Sequence, residues 1–195
     1  YMKLEEPLKA ENEELIAQSE RLSEKIILIN DVIAAQQSYA TANTNNDSIS
    51  LPTIIEDTLV LFTSSIDRHD IKLVKDFERV DLVIGQKTKL IHVLVNFIKN
   101  AKESMESIDH DKRLITIKLS QKGDEVRLFF SDTGAGVLPK NLTKIFNQGF
   151  TTKEQGHGLG LHSSANYIKD MGGKIEVKSE GENKGTTFII TLKKA

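Results

Sequence analysis

The chain has 195 residues, of which 38% are hydrophobic and 28% charged, with a formal net charge of −2 and no cysteine. That length suits one good-sized domain with an appendage or two small ones, and the charge balance gives no electrostatic case for nucleic acid or an anionic membrane. Disulfides, thiolate zinc sites and cysteine catalysis are excluded; no run of about 18 apolar residues marks a membrane span, and no signal-peptide pattern opens the chain.

Residues Pro7 to Ala40 read as a first helical unit. Leu8, Leu15, Leu22 and Ile29 are spaced by sevens, and Ile26 and Ile33 supply interleaved heptad positions. Asn12 and Ser19 occupy the earlier interleaved positions, so the seam is apolar in its C-terminal half and leaky at its start. The unit reads either as an amphipathic helix packed on its own domain or as a bundle or coiled-coil helix paired with another chain, and the strip, too narrow for a domain core, favours the second. Residues 1–40 are therefore expected to be a dimerisation helix, and the polar stretch 41–50 a linker.

Leu51 to Ile66 follows as a helix, with Pro52 in its first turn and Ile55, Leu59, Phe62 and Ile66 on one face. Ile71 to Val74 and Leu82 to Ile84 are short strand candidates. Lys87 to Ile108 is a long helix with Leu90, Leu94, Ile98, Ala101 and Met105 around one side. The opposite arc carries His92, Asn96, Asn100 and Glu103. It reads either as a solvated face or as a ligand face. Asparagine is a poorer helix former than alanine by about half a kcal/mol, and short amides on a rigid helix suit a hard cation through oxygen.

Leu114 to Ser120 and Val126 to Phe130 alternate as the arms of a hairpin around Gln121 to Asp124. The second arm runs into Asp132-Thr133-Gly134-Ala135-Gly136. The acid there either caps a glycine turn or presents a carboxylate to a ligand close to the backbone. Val137 to His157 has little periodicity beyond a short helix near Asn141 to Phe146, and Phe146 and Phe150 are its candidate anchors. Long loops in compact domains are usually functional or disordered, and this one, with Thr151-Thr152-Lys153 near its end, reads as a lid over a polyanion with Lys153 as phosphate partner. Gly156-His157-Gly158-Leu159-Gly160-Leu161 then gives way to a helix, Leu161 to Met171. It is either a plain turn with a cap or a place where backbone N–H groups and the helix N-terminus receive a phosphate. Strands Lys174 to Ser179 and Thr186 to Leu192 close the chain.

The order of these pieces carries more than any one of them. Asn96-x-x-x-Asn100-Ala101, Asp132-x-Gly134-x-Gly136, Phe146 with Phe150, Gly156-x-Gly158-x-Gly160-Leu161 and Gly185-Thr186-Thr187-Phe188 follow one another as the N, G1, F and G2 boxes and the closing strand. Over about residues 51–195 the chain resembles the ATP-binding catalytic domain of sensor histidine kinases, in the GHKL superfamily. The resemblance implies an α/β (α+β) sandwich: a mixed, mostly antiparallel sheet covered by helices on one face, here preceded by the long N-terminal helix. It implies ATP or ADP with Mg²⁺ as ligands. Asn100 matches the metal ligand, and Asn96 the residue a turn earlier that supports metal and phosphate; these two match the catalytic pair. Asp132 matches the acceptor of the adenine amino hydrogen, with Gly136 beside the ring and Thr186 in support. Gly156, Gly158 and Gly160 match the phosphate-cradling hinge of the lid, and Glu103, Gly134, Lys153, His157, Leu159 and Leu161 complete the expected nucleotide-binding set.

The resemblance further implies transfer of the γ-phosphoryl group to a histidine, a response regulator receiver domain as partner, and a homodimer through the N-terminal helix. No histidine precedes His69, which follows a predicted helix and precedes a strand. Ile29 to Ala40 resembles the second dimerisation helix of a subgroup of these kinases. The expectation is thus a fragment whose sensor and acceptor helix lie upstream, which binds ATP but does not phosphorylate itself, in the cytoplasm or as the cytoplasmic part of a membrane-bound sensor. Two rivals stay open: a nucleotide-binding but silent dimerising scaffold, and a GHL-type ATPase. The second requires a glutamate base where this chain has Asn96.

Overall fold

The computed structural model describes Gln18, residues 46–153 and residues 156–195. Apart from Gln18, the heptad segment Pro7 to Ala40 lies outside the described residues, and so does the dimerisation expected of it. From residue 46 onward the described chain belongs to one unit.

Its first helix, α1 (Leu51–Arg68), starts as its sequence suggests: Ser50 at the N-cap accepts the Thr53 N–H at 3.4 Å, and Pro52 lies in the first turn. Ile54, Ile55, Leu59 and Ile66 are buried along it and Phe62 is partly buried. The end of the stretch read as linker is not irregular. Asp47–Ile49 forms a strand, β1, paired antiparallel with β3 (Val83–Gly85). A triplet with a single apolar residue, Ile49, has no strand signal of its own, and the partner edge sits more than thirty residues away.

The main sheet contains β2 (Lys72–Phe77), β4 (Leu114–Lys122), β5 (Glu125–Asp132), β6 (Lys174–Lys178) and β7 (Thr186–Lys193), in the order β2-β4-β5-β7-β6. β2 runs parallel to β4, and the other neighbours are antiparallel, giving the mixed, mostly antiparallel sheet expected. Lys122 and Glu125 are cross-strand partners, so the β4–β5 turn is the pair Gly123-Asp124, with Gly123 at φ +60°. The period-two pattern sends Ile115, Ile117, Leu119, Val126, Leu128 and Phe130 into one core with the buried side chains of the helices. Thr116, Lys118, Ser120 and Arg127, at the alternate positions, are only half-buried.

Helix α2 (Lys87–Ser104) buries Leu90, Leu94, Ile98 and Ala101 as its periodicity requires, but also Val93, Val95 and Phe97. It is covered on two sides because α1 and α3 (Gly160–Asp170) both pack against it. The helix stops at Ser104 rather than Ile108. Beyond it the chain turns around the buried Arg113, whose guanidinium donates to the carbonyls of Ile108 (2.9 Å), His69 (2.9 Å) and Glu106 (3.1 Å). Those carbonyls are satisfied by a side chain, not by further helix. The short helix expected near Asn141 to Phe146 is instead a 3₁₀ turn, Pro139–Asn141, followed by single turns in which the Ile145 N–H reaches Asn141 O at 3.0 Å.

An aromatic spine joins sheet, helix and loop. Phe97 stacks on Phe188 with ring centroids 4.5 Å apart, and meets Phe130 at 5.6 Å. Phe146, at the root of the long loop, meets Phe188 edge-on at 6.5 Å.

Candidate functional site

β5 ends on Asp132, which is paired in register with Ile115 on one side and Thr186 on the other, and is only 8% exposed. Its Oδ1 accepts the Gly134 N–H at 2.8 Å and faces Ser104 Oγ at 3.2 Å. A backbone N–H of Thr186 donates to the same carboxylate. Burial is nevertheless the larger influence and pushes the Asp132 carboxyl up to about 6 against those three donors. The group is a desolvated acceptor whose remaining lone pairs suit a neutral N–H donor.

The glycine turn after Asp132 is shaped by α2. A Cβ on Gly134 would stand 2.0 Å from Ser104 Oγ, so the absence of a side chain there is what lets the helix end approach. The Ala135 N–H donates to Ser104 O at 2.9 Å, and Ala135 O and Gly134 O receive the N–H groups of Asn183 and Gly185 at 2.7 and 3.0 Å. Gly136 therefore lies against the β6–β7 turn. Ser179 Oγ helps hold that turn, accepting from the Val137 N–H at 2.9 Å and donating to Gly185 O at 2.7 Å.

The second half of the site lies one to two turns back along α2. Asn96 is buried, and its Nδ2 donates to Gly160 O at 3.1 Å and Ser164 Oγ at 3.2 Å. Its nitrogen is thus spent on tying α2 to the start of α3, while Oδ1 lies beside Gly160, 3.2 Å from where a Cβ would be. The first turn of α3 has Leu159 at its N-cap and no side-chain cap hydrogen bond, so its leading N–H donors are not taken by a capping side chain. Leu159 is half-buried, His157 is exposed, and Leu161 packs against the core. Gly158, at φ +65°, lies so close to the Gly149–Phe150 backbone that a Cβ would come within 2.6 Å of Phe150 O. Gly156 is half-buried.

Asn100 and Glu103 meet Lys153 from the loop. The Lys153 ammonium donates to Asn100 Oδ1 at 3.3 Å and pairs with the Glu103 carboxylate. An amide oxygen and a carboxylate oxygen on one helix face thus converge on the Lys153 ammonium. Among the described residues no three His, Asp or Glu side chains gather. A magnesium ion does not demand such a cage, since it keeps waters and shares its shell with substrate phosphates.

Nine of the residues expected from the sequence fall into two groups along α2: Asp132, Gly134, Gly136 and Thr186 by its C-terminal end, and Asn96, Asn100, Glu103, Lys153 and Gly160 along its polar side. Gly156, His157, Gly158, Leu159 and Leu161 lie on the stretch around Gly160. Ser104 belongs to the first group and was not expected. Its signal was its place four residues after Asn100, on the same edge of the helix.

The family model described as histidine kinase-, DNA gyrase B- and HSP90-like ATPase matches residues 85–195, which include all of these positions. The chain belongs to that family. Among relatives, the C4-dicarboxylate transport sensor protein DctB of Rhizobium meliloti (strain 1021) is 31% identical over 195 residues, covering 95% of this chain and 29% of DctB. The chain thus spans less than a third of that relative. Among solved structures, the catalytic domain of histidine kinase ThkA superposes with a TM-score of 0.69 at 28% identity, covering 77% of this chain and 97% of that one. ThkA in complex with the response regulator TrrA gives 0.71 at 24% identity, covering 91% and 49%. Full-length ShkA in complex with AMPPNP gives 0.75 at 22% identity, covering 95% and 40%. The fold is that of histidine kinase catalytic domains. No helix among the described residues is long and apolar enough to cross a membrane.

Proposed function

We propose that this chain is the ATP-binding catalytic region of a two-component sensor histidine kinase, which binds Mg²⁺–ATP and transfers the γ-phosphoryl group to a histidine upstream of it. The observation that carries the reading is the pairing, on one helix, of a cation-accepting face at Asn100 and Glu103 with the support of a buried acceptor, Asp132. Asp132 accepts a hydrogen from the adenine amino group, Gly136 lies beside the ring, and Thr186 steadies the carboxylate through its N–H. The leading N–H groups of α3 and the Gly156, Gly158 and Gly160 backbone hold the phosphates. Lys153 exchanges Glu103 for phosphate oxygen. Asn100 Oδ1, with Asn96 Oδ1 in support, would hold Mg²⁺. When bound, the ion neutralises charge on the triphosphate. The protein's own contribution is positioning.

A response regulator is the proposed partner. ThkA was solved with one, and DctB is described as a sensor protein. The dimerisation helix 1–40, the homodimer and the cytoplasmic location are part of the same proposal, with the catalytic domain extended beyond 51–195 to take in β1 (Asp47–Ile49) and the linker shortened from 41–50 accordingly. The water-activating ATPase is disfavoured because Asn96 has no basic site, and its nitrogen is committed to Gly160 O and Ser164. The test is calorimetric titration of the chain with ADP and a non-hydrolysable ATP analogue, with and without Mg²⁺, beside Asp132→Asn and Asn100→Ala. Micromolar binding that Asp132→Asn abolishes, with Asn100→Ala removing mainly the Mg²⁺-dependent part, supports the reading. No binding by the unaltered chain makes the silent scaffold the better one.

A further inference from the structure

We propose that Ser104 is a positioning residue for base recognition: its hydroxyl holds the Asp132 carboxylate ionised and oriented toward the adenine amino group. The proposal rests on the nucleotide reading above. Ser104 is clasped to the Asp132 turn from both ends, through Oγ to Asp132 Oδ1 at 3.2 Å and through its carbonyl to the Ala135 N–H at 2.9 Å. Gly134 has no side chain to keep it away.

The hydroxyl has a second acceptor, Ala101 O, at 2.9 Å, and only one hydrogen to give. An ionised carboxylate is the stronger acceptor, so the hydrogen goes to Asp132 when that group is charged. When Asp132 is protonated, its own O–H donates to Ser104 Oγ and the serine hydrogen returns to Ala101 O. The pair therefore accommodates both protonation states, but the bond to the charged form is the stronger, so the hydroxyl favours the ionised carboxylate. The groups that face the carboxylate are Ser104 from α2, the Gly134 N–H from its own turn and the Thr186 N–H from β7, and none is charged. Burial already pushes this carboxyl up to about 6, so each donor matters to whether it is charged near neutrality. Because α2 also carries Asn100, about 6 Å along the axis from Ser104, the same helix sets the separation between cation face and base acceptor.

The test is ADP affinity of the full chain from about pH 5.5 to about pH 8.5, for the unaltered protein, Ser104→Ala and Ser104→Thr, with the carboxyl resonance of Asp132 followed by NMR without nucleotide. Loss of one hydrogen bond to a charged group raises the Asp132 midpoint by about one pH unit. ADP then binds Ser104→Ala about five-fold more weakly at pH 6 and about two-fold at pH 7, with almost no loss at pH 8.5. Threonine keeps the hydroxyl in a rotamer that bonds the preceding turn, and restores the profile. An equal loss at every pH, or an unmoved carboxyl midpoint, would assign Ser104 a merely structural role and overturn the proposal. Binding by the unaltered chain that Asp132→Asn abolishes, with Ser104→Ala unchanged in its pH profile, sinks the Ser104 proposal alone. Absence of ADP binding by the unaltered chain sinks it together with the nucleotide reading.

Discussion

Asp132→Asn should make the ligand-free protein more stable while removing nucleotide binding. The carboxyl titrates at about 6 in the folded protein, against 3.8 as its ordinary value. Between those two pH values the folded protein holds a proton that the unfolded chain has released, so stability falls as pH rises through that window. The deficit is complete above about pH 6 and amounts to about 3 kcal/mol, from roughly two pH units at about 1.4 kcal/mol each. Asparagine carries no charge to desolvate, and its oxygen still accepts from the Gly134 N–H and Ser104. Its amide nitrogen, however, faces a donor that the carboxylate satisfied, which returns about 1 kcal/mol or more of the gain. The variant is thus expected to be about 1–2 kcal/mol more stable than the parent at pH 7.5 and no more stable than it near pH 4. Urea unfolding at a series of pH values measures the gap, and its opening between about pH 4 and pH 6 is the signature. A variant less stable than the parent at pH 7.5 would refute the reasoning, because the carboxylate would then be a net stabiliser of the empty fold. Calorimetry on the same material should show ADP binding lost, since an amide presents nitrogen donors where the base amino group needs an acceptor.

Asn96 and Asn100 look equivalent in sequence but should separate in stability. Asn96→Ala removes two hydrogen bonds between α2 and α3 and should cost about 1–2 kcal/mol in urea unfolding, whereas Asn100→Ala should fall within about 0.5 kcal/mol and lose only the Mg²⁺-dependent part of nucleotide affinity. Lys153→Met breaks an ion pair whose side chains are 45% and 46% exposed, so its unfolding curve should move by no more than about 0.5 kcal/mol; affinity for the ATP analogue, measured by titration, should fall about ten-fold with ADP little affected. Arg113→Met withdraws donors from three backbone carbonyls and should destabilise by about 3 kcal/mol, read from the denaturation midpoint. Arg113→Lys should recover only part of that, because an ammonium lacks the planar fork that spans them.

Local patterning went far with this protein. The alternation in β4 and β5, the 3.6-residue period of α1 and α2, Ser50 and Pro52 at a helix start and the Gly123-Asp124 turn are all written in short stretches, because helix and strand periodicities and turn chemistry act over a few residues. The polar face of α2, the acid at the end of β5 and the glycines before α3 are also visible locally, while the roles expected of Asn100, Asp132 and Gly160 came from the family resemblance. What needed the tertiary structure were relations between distant segments. Asp47–Ile49 becomes a strand only because β3 offers an edge; α2 ends at Ser104 because Arg113 satisfies the following carbonyls; and Asn96, on what reads as the polar face of α2, is buried because α3 lies over it. Lys153 closing on Asn100 and Glu103, and Ser104 reaching Asp132, belong to the same class. Hydrogen bonds and buried charges depend on which groups lose their water, and that is decided when separated elements pack against one another, not by the neighbours of a residue along the chain.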